Sequence, residues 1–564
     1  MLDELIELTI IDGQDKRSFK VKAYQKARNA LEDFPRDFTK LSEKELIEIS
    51  GVGKSTANQI LEFKLTGTTK KLDELREKYP HEYVMLTRIS GLGPKTVNLL
   101  NTELNISNID QLLDAIENQK VRTLPRLGIK AETKMLQTLE KLRLNKAEKM
   151  FPIADAFQIA ESLVQDWERI TSISNISYCG DLRRMKEQVG EIKIVIETSD
   201  IDTTKSNIGD HPELNFDSEN GNQITFLSIK KIPVIVEFYP VGQYHFGTFF
   251  HTGSDLHIKK IKERTKDLGF NFKRSGLQEK NKTLEFNSEK EIYKKIGLQY
   301  VEPEMREAQG EVDLSLEGQL PDVVSINDIK GDLHYHTDRS GDGRSSLNEM
   351  AAAAESKGYE YIAFTDHGED LKINGSTREQ MLEHKDNINN LQVQYPNMKL
   401  LFGCELNIDA NGNLDYDKDF REIFDYTVAS VHSHFDLSQE EQTMRIVKAV
   451  SDPTVNSIGH LTGRYIGKRP GIDLNIEILL EALLKFDKAL EINGSLQRLD
   501  ASSEIAKQAM SKGVKLVINT DSHHVSDLQR MEFGVSTAKR GWVNKELVIN
   551  TWPYQKFITW LNNK

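Results

Sequence analysis

The last third of the chain contains six short apolar runs, and each of them ends in a side chain that can bind a metal ion. The runs cover residues 331–336, 361–367, 400–405, 426–432, 455–460 and 514–523. Amphipathic stretches lie between them, at residues 346–358, 378–394, 439–450, 476–486 and 503–513. Strands that alternate with helices predict a parallel sheet, and this many repeats favour a closed (β/α) barrel. In such barrels the functional side chains stand at the carboxyl ends of the strands, where all of these candidates fall.

The ligand types indicate which chemistry these strand ends can support. His334 and His336 are two residues apart on a predicted strand and therefore point to the same side, and Asp521 and His523 repeat this arrangement. Imidazoles together with carboxylates suit Mn²⁺, Zn²⁺ or Fe²⁺, and the absence of thiolate ligands argues against a structural zinc site. Carboxylates that bridge such ions build clusters that activate water and bind a phosphate. One isolated histidine would more often be structural, but histidines at five strand ends favour a metal centre.

With these strand ends the segment resembles a PHP domain (polymerase and histidinol phosphatase). The resemblance implies a distorted (β/α)₇ barrel with three metal ions and nine ligands. It assigns His334, His336, Glu405 and Asp521 to one ion, Glu405, His432 and His460 to a second, and Asp342, His367 and His523 to a third. It implies catalytic roles for the first four of these residues and for Arg464, which resembles the phosphate-binding arginine of the family, although an ordinary surface arginine fits the sequence equally well. The spacing between His336 and Asp342 is one residue longer than is usual in the family.

Length and composition limit the classes of protein that remain. With domains of about 150 residues, a chain of 564 residues predicts three or four units. No apolar run approaches the ~18 residues of a membrane span, and the acidic residues 1–5 do not begin a signal peptide. The two cysteines, Cys179 and Cys404, form no CxxC motif and fit a reducing cytoplasm. The net charge of −13 predicts modest, salt-sensitive affinity for DNA but does not exclude DNA as a partner.

Two glycine motifs occur in the predominantly helical pattern of the first hundred residues. Each has two glycines and a lysine at the start of a predicted helix: Gly51, Gly53 and Lys54 in the first, and Gly91, Gly93 and Lys95 in the second. Glycines let the backbone turn tightly, and the N–H groups at a helix start can hold a phosphate. Both motifs resemble the helix-hairpin-helix element, which implies binding to the DNA backbone without sequence readout. A related stretch around Gly128 keeps one glycine, and we expect it to be structural.

Residues from 150 to 320 change to a mixed α and β pattern, with a predicted helix at 153–170 and a predicted strand at 232–239. Together with the hairpins, this region resembles the palm and thumb of a family X DNA polymerase, and the whole chain resembles the bacterial polymerase X type. The expected domains are two helix-hairpin-helix domains at 1–85 and 86–150, a nucleotidyltransferase-like palm at 151–248, a thumb-like domain at 249–315, a linker at 316–330 and the PHP domain at 331–564. By pattern alone, residues 301–330 show no clear periodicity and read as a linker, which is a longer stretch than the 316–330 of this division.

The palm departs from its family where the polymerase chemistry would take place. Active relatives place adjacent carboxylates on one strand and a third on a later strand, because paired Mg²⁺ ions need them. The corresponding residues here are Glu191, Lys193 and Glu237, and Asp181 replaces a serine that would meet the triphosphate. The residues that match the nucleotide-binding positions are Gly180, Arg184 and Gly190. The lysine that carries the lyase activity of some relatives is replaced by Gln59. We therefore do not expect the palm to hold Mg²⁺ as its active relatives do.

The sequence thus predicts a monomeric, cytoplasmic DNA repair enzyme that removes nucleotides from 3′ ends through a PHP domain, with weak or lost polymerase activity. An active gap-filling polymerase is one alternative, and a histidinol-phosphatase-like enzyme of small molecules is another. A DNA-binding scaffold without activity would require an incomplete metal site, whereas all nine ligand residues are present. At the end of the chain, we expect a closing helix with Trp552 and Trp560 packed against the barrel.

Overall fold

A computed structural model describes residues 2–12, 18–32, 41–66, 68–79, 86, 92, 94–104, 106–107, 109–125, 127–128, 132, 135, 150–280, 282–371 and 373–563. The chain divides into two compact units, residues Met1–Lys149 and Met150–Lys564. None of the helices in these described ranges is both long enough and apolar enough to cross a membrane.

The first unit is helical, as the sequence predicts. Its helices are α1 (Leu2–Ile11), α2 (Phe19–Glu32), α3 (Glu43–Glu48), α4 (Lys54–Thr66), α5 (Lys70–Lys78), α6 (Pro94–Leu104) and α7 (Ile109–Glu117). Ser42 caps α3 in a capping box with Glu45, which satisfies N–H groups at the helix start. Buried aliphatic side chains from several of these helices, among them Leu5, Val21 and Leu46, form one hydrophobic core.

The second unit begins with the palm, a five-stranded sheet. Its elements are β1 (Phe151–Pro152), α8 (Ile153–Trp167), β2 (Ile173–Cys179), α9 (Gly180–Arg183), β3 (Gln188–Val189), β4 (Ile192–Thr198), α10 (Ile201–Gly209), β5 (Leu214–Asn220), β6 (Gln223–Ser228) and β7 (Pro233–Tyr239). The strand order is β2-β4-β7-β6-β5, in which β4 and β7 are parallel, and β1 pairs separately with β3. The parallel pair places Glu237 opposite Val195 and Ile235 opposite Lys193.

The thumb follows, and it continues into the segment that the sequence suggests is a linker. Its elements are α11 (Tyr244–Thr252), α12 (Asp255–Asp267), β8 (Asn271–Lys273), β9 (Gly276–Glu279), β10 (Lys282–Thr283), α13 (Glu289–Lys295) and α14 (Glu311–Glu317). Reading residues 301–330 as a linker is wrong for the first part of this stretch. Arg306 is fully buried, bonds to Glu289 and lies over the rings of Tyr293 and Tyr300. Long-range packing of this kind leaves no periodic signal in the sequence.

The C-terminal part is a barrel of seven parallel strands in sequential order. Its elements are β11 (Gly331–Tyr335), α15 (Leu347–Ser356), β12 (Tyr361–Phe364), α16 (Arg378–Gln392), β13 (Lys399–Asn407), α17 (Lys418–Arg421), β14 (Tyr426–Ser430), α18 (Gln439–Ser451), β15 (Ser457–Ile458), α19 (Ile476–Lys485), β16 (Ala489–Asn493), α20 (Ser503–Lys512), β17 (Lys515–Asn519), α21 (Arg530–Arg540) and α22 (Tyr554–Asn562). The six apolar runs predict six of these strands and miss β16. The (β/α)₇ architecture implied by the resemblance is confirmed.

The barrel is closed at its sides and at its amino-terminal end. The first and last strands meet where His336 donates its backbone N–H to Ser522 (2.9 Å) and Leu333 donates to the Asn519 side chain (3.0 Å). Beneath the strands, Phe557 of α22 stacks on Tyr361 with ring centroids 4.7 Å apart. Trp552 and Trp560 belong to the same buried cluster, so the closing helix is confirmed. The carboxyl-terminal end of the barrel remains open, and the candidate ligands lie there.

Candidate metal centre

The predicted ligands of the first ion lie together at the carboxyl ends of β11, β13 and β17. Glu405, on β13, is 1% exposed, and its Oε2 lies 3.4 Å from the Nε2 atoms of both His334 and His336. Asp521 Oδ1 lies 3.6 Å from His334 Nε2 and 3.3 Å from His336 Nε2. Four ligand atoms from three strands therefore face one point.

The second predicted group uses the other oxygen of the same carboxylate. Glu405 Oε1 lies 3.2 Å from His432 Nε2 and 3.0 Å from His460 Nε2. His432 follows β14 and His460 follows β15, so the short strand β15 has a clear role in the site. Asn407, two residues beyond Glu405, contacts His432 Nδ1 through its side-chain oxygen at 3.3 Å.

The third group lies nearer the opening of the barrel. Asp342 Oδ2 lies 3.6 Å from His367 Nε2 and 3.4 Å from His523 Nε2. The second nitrogen of His367, Nδ1, lies 2.9 Å from Glu405 Oε2, which joins this group to the other two. The additional residue between His336 and Asp342 therefore does not prevent Asp342 from reaching the cluster. Asn374 supports it by donating a hydrogen bond to Oδ2 at 2.8 Å.

A buried carboxylate that the sequence pattern misses holds the first group in place. Glu491, in the centre of β16, contacts His334 Nδ1 through Oε1 at 2.7 Å. The same Oε1 accepts from Asn519 Nδ2 at 2.9 Å, and Oε2 accepts from the backbone N–H of His460 at 2.6 Å. Carboxylates in this position fix the tautomer and orientation of a metal-binding histidine. The only sequence signal for Glu491 is an acidic residue inside the apolar run 489–493.

Burial and mutual contact set the protonation of the cluster. Burial lowers the pKa of His336 to about 4, and the neighbouring His523 and His367 act in the same direction. Burial likewise lowers the pKa of His432 to about 4, against the attraction of Glu405. Burial also opposes ionisation of Glu405, but the surrounding histidines hold its pKa well below the ordinary value. Two other histidines of the cluster shift the opposite way: although burial opposes it, Glu491 and Glu405 raise the pKa of His334 well above its ordinary value, and Glu405 and Asp342 raise the pKa of His367 to about 10. Metal ions bind neutral imidazoles and ionised carboxylates, so metal binding at His334 and His367 would release protons.

The donor atoms fit divalent ions. Two ligands at about 2.1 Å from one ion lie about 3.0–3.4 Å apart in octahedral or tetrahedral geometry. In three sets of residues the donor atoms all lie within 4.8 Å of one another: His336, His367 and His523; His334, His336 and Asp521; and His367, Glu405 and His432. Within the described part of the chain, Nε2 of His334 and His336 and both oxygens of Glu405 are buried without a hydrogen-bond partner. Unpaired buried polar atoms are costly, and coordination would satisfy them.

A cavity of about 530 Å³ opens above the cluster, and its walls carry arginines that the sequence argument does not single out. They are Arg344, Arg469, Arg498 and Arg530. Two aromatic residues, Phe435 and Tyr465, also line the cavity. Arg498 lies over the ring of Tyr465 at 4.4 Å and donates to its hydroxyl at 3.0 Å. Guanidinium groups beside a cluster of metal ligands suit a phosphate-containing substrate.

Arg464 does not line this cavity, and its expected contact with the substrate phosphate is not what the structure shows. Its Nη1 and Nη2 donate to the two oxygens of Glu187 in the palm, at 2.9 and 2.7 Å. Its Nε donates to the backbone oxygen of Arg498 at 2.8 Å, and Nη2 also donates to the backbone oxygen of Leu499. The pattern of residues after His460 could not reveal this, because Glu187 belongs to another domain.

In the palm, the carboxylates at the polymerase positions are paired with cations of the chain. Glu191 Oε1 lies 2.8 Å from Lys193 Nζ. Glu237 is 4% exposed and accepts a hydrogen bond from Arg274. Asp181 accepts from Arg184 and lies 3.3 Å from Lys186 Nζ. A Mg²⁺ ion at these positions would have to compete with the ammonium and guanidinium groups.

The three expected nucleotide-binding residues lie beside this site. Gly180 begins α9 with φ +65°, and Gly190 lies between β3 and β4. Arg184 is 5% exposed, and its Nε and Nη1 donate to Glu307 (2.9 Å) and to the backbone oxygen of Thr252 (2.6 Å). With its remaining Nη2 on Asp181, the guanidinium is engaged inside the protein on all three nitrogens.

The first glycine motif forms a tight turn between α3 and α4. Gly51 has φ +106°, and a Cβ there would lie 3.1 Å from the backbone oxygen of Lys26, so glycine is required. Val52 is buried, whereas Gly53 and Lys54 are exposed at the start of α4, where N–H groups can meet a phosphate. Gly91 and Gly93 of the second motif, and the side chain of Lys95, lie outside the described residues.

A seven-stranded barrel with this ligand cluster at its carboxyl ends defines a metal-dependent phosphoesterase of the PHP class. The family model of the PHP domain matches residues 332–495. Models of the DNA polymerase beta thumb, of a helix-hairpin-helix domain and of a SAM-like helix-hairpin-helix tandem match residues 248–307, 1–69 and 83–141.

Relatives resemble either the whole chain or the barrel alone. The DNA polymerase/3′-5′ exonuclease PolX of Bacillus subtilis (strain 168) is 34% identical over 538 residues, which are 94% of this chain and 93% of the relative. A probable phosphatase of Thermoanaerobacter sp. (strain X514) is 33% identical over 230 residues, 39% of this chain and 89% of the relative. A probable phosphatase of Acetivibrio thermocellus is 29% identical over 241 residues, 41% of this chain and 95% of the relative. The chain belongs to the bacterial PolX family.

Proposed function

We propose that the chain removes nucleotides from the 3′ end of DNA through its PHP barrel, in base-excision or gap repair. The observation that carries this proposal is the cluster of ligand side chains around Glu405 beneath an arginine-lined cavity. The Bacillus subtilis relative is named for a 3′-5′ exonuclease, and it matches the chain over 94% of its length. The helix-hairpin-helix regions would hold the DNA by its backbone.

We further propose three ions at the site, drawn from Mn²⁺, Zn²⁺ and Fe²⁺, with the ligand sets that the PHP resemblance implies. When bound, such ions supply Lewis acidity and an activated water for phosphodiester hydrolysis. Glu405 would bridge ions, since its two oxygens face different histidines. Glu491 would keep His334 in the orientation that presents Nε2 to the ion.

The cavity walls would bind and orient the DNA end. Arg498 and Arg530 would bind the scissile or neighbouring phosphate as charge-assisted donors. The rings of Tyr465 and Phe435 would offer stacking surface to an unpaired terminal base. Such a wall suits an unpaired terminal nucleotide, including one that frays from the end of a primer-template.

Combined replacement of two ligands tests the assignment. His334→Ala together with His336→Ala should abolish shortening of a 3′-recessed primer-template in the presence of Mn²⁺, while DNA binding and folding persist. His211→Ala, which removes a histidine of the palm that pairs with Asp166 at 3.3 Å, is the control and should leave shortening unchanged. If the double variant shortens DNA at the rate of the unmodified chain, the activity does not belong to the barrel.

For the palm, we propose that polymerase activity is weak or lost. The support is the pairing of Glu191 with Lys193 and of Glu237 with Arg274, which opposes Mg²⁺ binding. Loss of the metal ions from a phosphoryl-transfer site costs several kcal/mol, so nucleotide addition should fall at least ~10³-fold below that of an intact relative. Adding dNTPs to the same primer-template assay measures the rate of nucleotide addition.

A gain-of-function variant separates this proposal from an active gap-filling polymerase. Glu191→Asp, Lys193→Asp, Glu237→Asp and Asp181→Ser together should recover measurable extension, because they restore the acidic and hydroxyl groups of the family. Robust extension by the unmodified chain that is unaffected by Glu191→Ala would refute the proposed loss of activity.

The alternative of a small-molecule phosphatase rests on the relatives that match the barrel alone. It predicts rapid hydrolysis of a small phosphomonoester and no dependence on residues 1–149. Our proposal predicts preference for DNA ends. We also propose a monomer, the domain boundaries given above, and a cytoplasmic location, with which the two buried, unpaired cysteines are compatible.

A further inference from the structure

One part of the wall of the metal-site cavity is formed by two loops that also contact the palm. The first wall loop, residues 461–471, contributes Tyr465 and Arg469 to the cavity, and the second wall loop, residues 494–501, contributes Ser495, Gln497 and Arg498. The loops are bonded to each other, since the backbone N–H of Ile466 donates to the oxygen of Gln497 at 2.8 Å. Their conformation therefore sets the shape of this part of the cavity.

Arg464 connects both loops to the palm. From the first wall loop, its Nε donates to the oxygen of Arg498 in the second, at 2.8 Å. Its two terminal nitrogens form a fork on Glu187, at 2.9 and 2.7 Å. Both carboxylate oxygens of Glu187 are thus used, in the bidentate geometry that gives arginine pairs their directional strength. Arg464 and Glu187 are 16% and 32% exposed at their side chains, so solvent only partly screens the pair.

Apolar side chains of the same loops pack against the palm. Leu499 of the second wall loop is fully buried in the palm core, and Ile466 and Leu496 pack at its edge. A Cβ on Gly467 would lie 2.5 Å from Pro152 of β1, which shows how closely the first wall loop approaches the palm. The loops have no helix or strand of their own to hold them, so the palm supplies much of their support.

We infer that Glu187 is a positioning residue for the phosphoesterase: it holds Arg464 and thereby keeps both wall loops in the shape that binds the DNA end. This inference rests on the proposed function of the barrel. The palm would then serve the nuclease as a structural part of its cavity. Glu187 touches none of the predicted metal ligands, so its loss should alter substrate binding and leave metal binding intact.

The chain offers a closely matched control. Glu302 of the thumb segment pairs with Lys539 of α21 at 3.0 Å, so it also joins the polymerase-like part to the barrel. The side chains of Lys539 and Glu302 are 18% and 31% exposed, almost the values of Arg464 and Glu187. Neither Glu302 nor Lys539 lines the cavity. A difference between Glu187→Gln and Glu302→Gln therefore reports on the wall loops and not on the loss of an interdomain ion pair as such.

The experiment compares the two variants in the full chain with Mn²⁺ and a single-stranded oligonucleotide labelled at its 5′ end. We expect Glu187→Gln to raise KM at least about fivefold, with kcat changed less than about threefold and the metal content unchanged, because misplaced binding groups weaken productive binding. Arg464→Lys should raise KM as well, since an ammonium cannot form the fork. Glu302→Gln should leave both constants unchanged. Equal KM values for Glu187→Gln and Glu302→Gln, or a fall in metal content with Glu187→Gln, would overturn the inference.

Hydrogen exchange followed by mass spectrometry provides a readout that does not require activity. In Glu187→Gln, amides of residues 461–471 and 494–501 should exchange faster, while those of β11, β13 and β17 keep their rates. Unchanged exchange in the two loops would refute the inference even if the activity fell. If the unmodified chain does not shorten DNA at all, the proposed function fails, and the exchange comparison still decides whether Glu187 holds the loops.

Discussion

Replacing Glu491 by glutamine tests whether the metal centre depends on the partner behind His334. Glu491 accepts three hydrogen bonds, two at Oε1 from His334 and Asn519 and one at Oε2 from the backbone N–H of His460. An amide has the same shape but replaces one of these acceptors by an NH₂ group. In either orientation the NH₂ would face an N–H donor in a fully buried site. The variant therefore loses at least one hydrogen bond to a charged group.

The size of the effect follows from this loss. A hydrogen bond to a charged group contributes about 1.5–3 kcal/mol. At about 1.4 kcal/mol per factor of ten, metal binding should weaken about 10- to 100-fold, which is the range found for partners of metal-binding histidines. The shift should appear as a higher Mn²⁺ concentration for half-maximal exonuclease activity, with DNA binding in the absence of metal unchanged.

The assay is a titration of Mn²⁺ against the initial rate of 3′-end shortening, after removal of bound metal with a chelator. Glu304→Gln is the control, because Glu304 is also a buried glutamate (6% exposed) but lies in the thumb segment, outside the barrel. The same half-maximal Mn²⁺ concentration for Glu491→Gln and the unmodified chain would refute the role of Glu491 as an orienting carboxylate.

Three further predictions concern DNA binding, metal dependence and stability. Gly53→Val with Gly93→Val should weaken binding of all DNA sequences about equally, and binding should fall steeply with salt. A Cβ at Gly53 meets no described atom within 4 Å, so this substitution should not disturb folding there. In a filter-binding assay, loss of binding for only some DNA sequences would contradict contact with the backbone. Removal of metal with a chelator should abolish phosphodiester hydrolysis and lower the midpoint temperature of thermal unfolding of the barrel, and added Mn²⁺ should restore both the activity and the midpoint. An unchanged midpoint in calorimetry would argue against bound ions in the core of the site. Phe557→Ala should destabilise the barrel by about 3–5 kcal/mol, because it leaves a cavity at a fully buried position beneath the strands. An unchanged midpoint of unfolding in urea would mean that α22 does not close the barrel.

Much of the barrel and its site could be predicted from the sequence because the relevant information is local. A parallel strand buried on both sides is a continuous apolar run, and a ligand at its carboxyl end is the next residue in the chain. His334 and His336 share a face through the two-residue period of a strand, and the structure places both beside Glu405 as expected. The strand β16 was not predicted because its acidic residue, Glu491, lies in the middle of the apolar run. Glu491 contacts the predicted ligand His334 and is not itself a ligand at the end of the strand.

The sequence by itself determined the class of the chain: a β/α repeat with strand-end ligands, a mixed α and β region that resembles a palm, and glycine turns at the start of helices. Only the tertiary structure decided what Arg464 does. It lies four residues after His460, where the sequence suggests a phosphate ligand, yet it bonds to Glu187, 277 residues away in the chain. The physical reason is that a side chain in the loop after a strand can point into the barrel or away from it. Packing of the loop against another domain decides which, and no local pattern of residues records that contact.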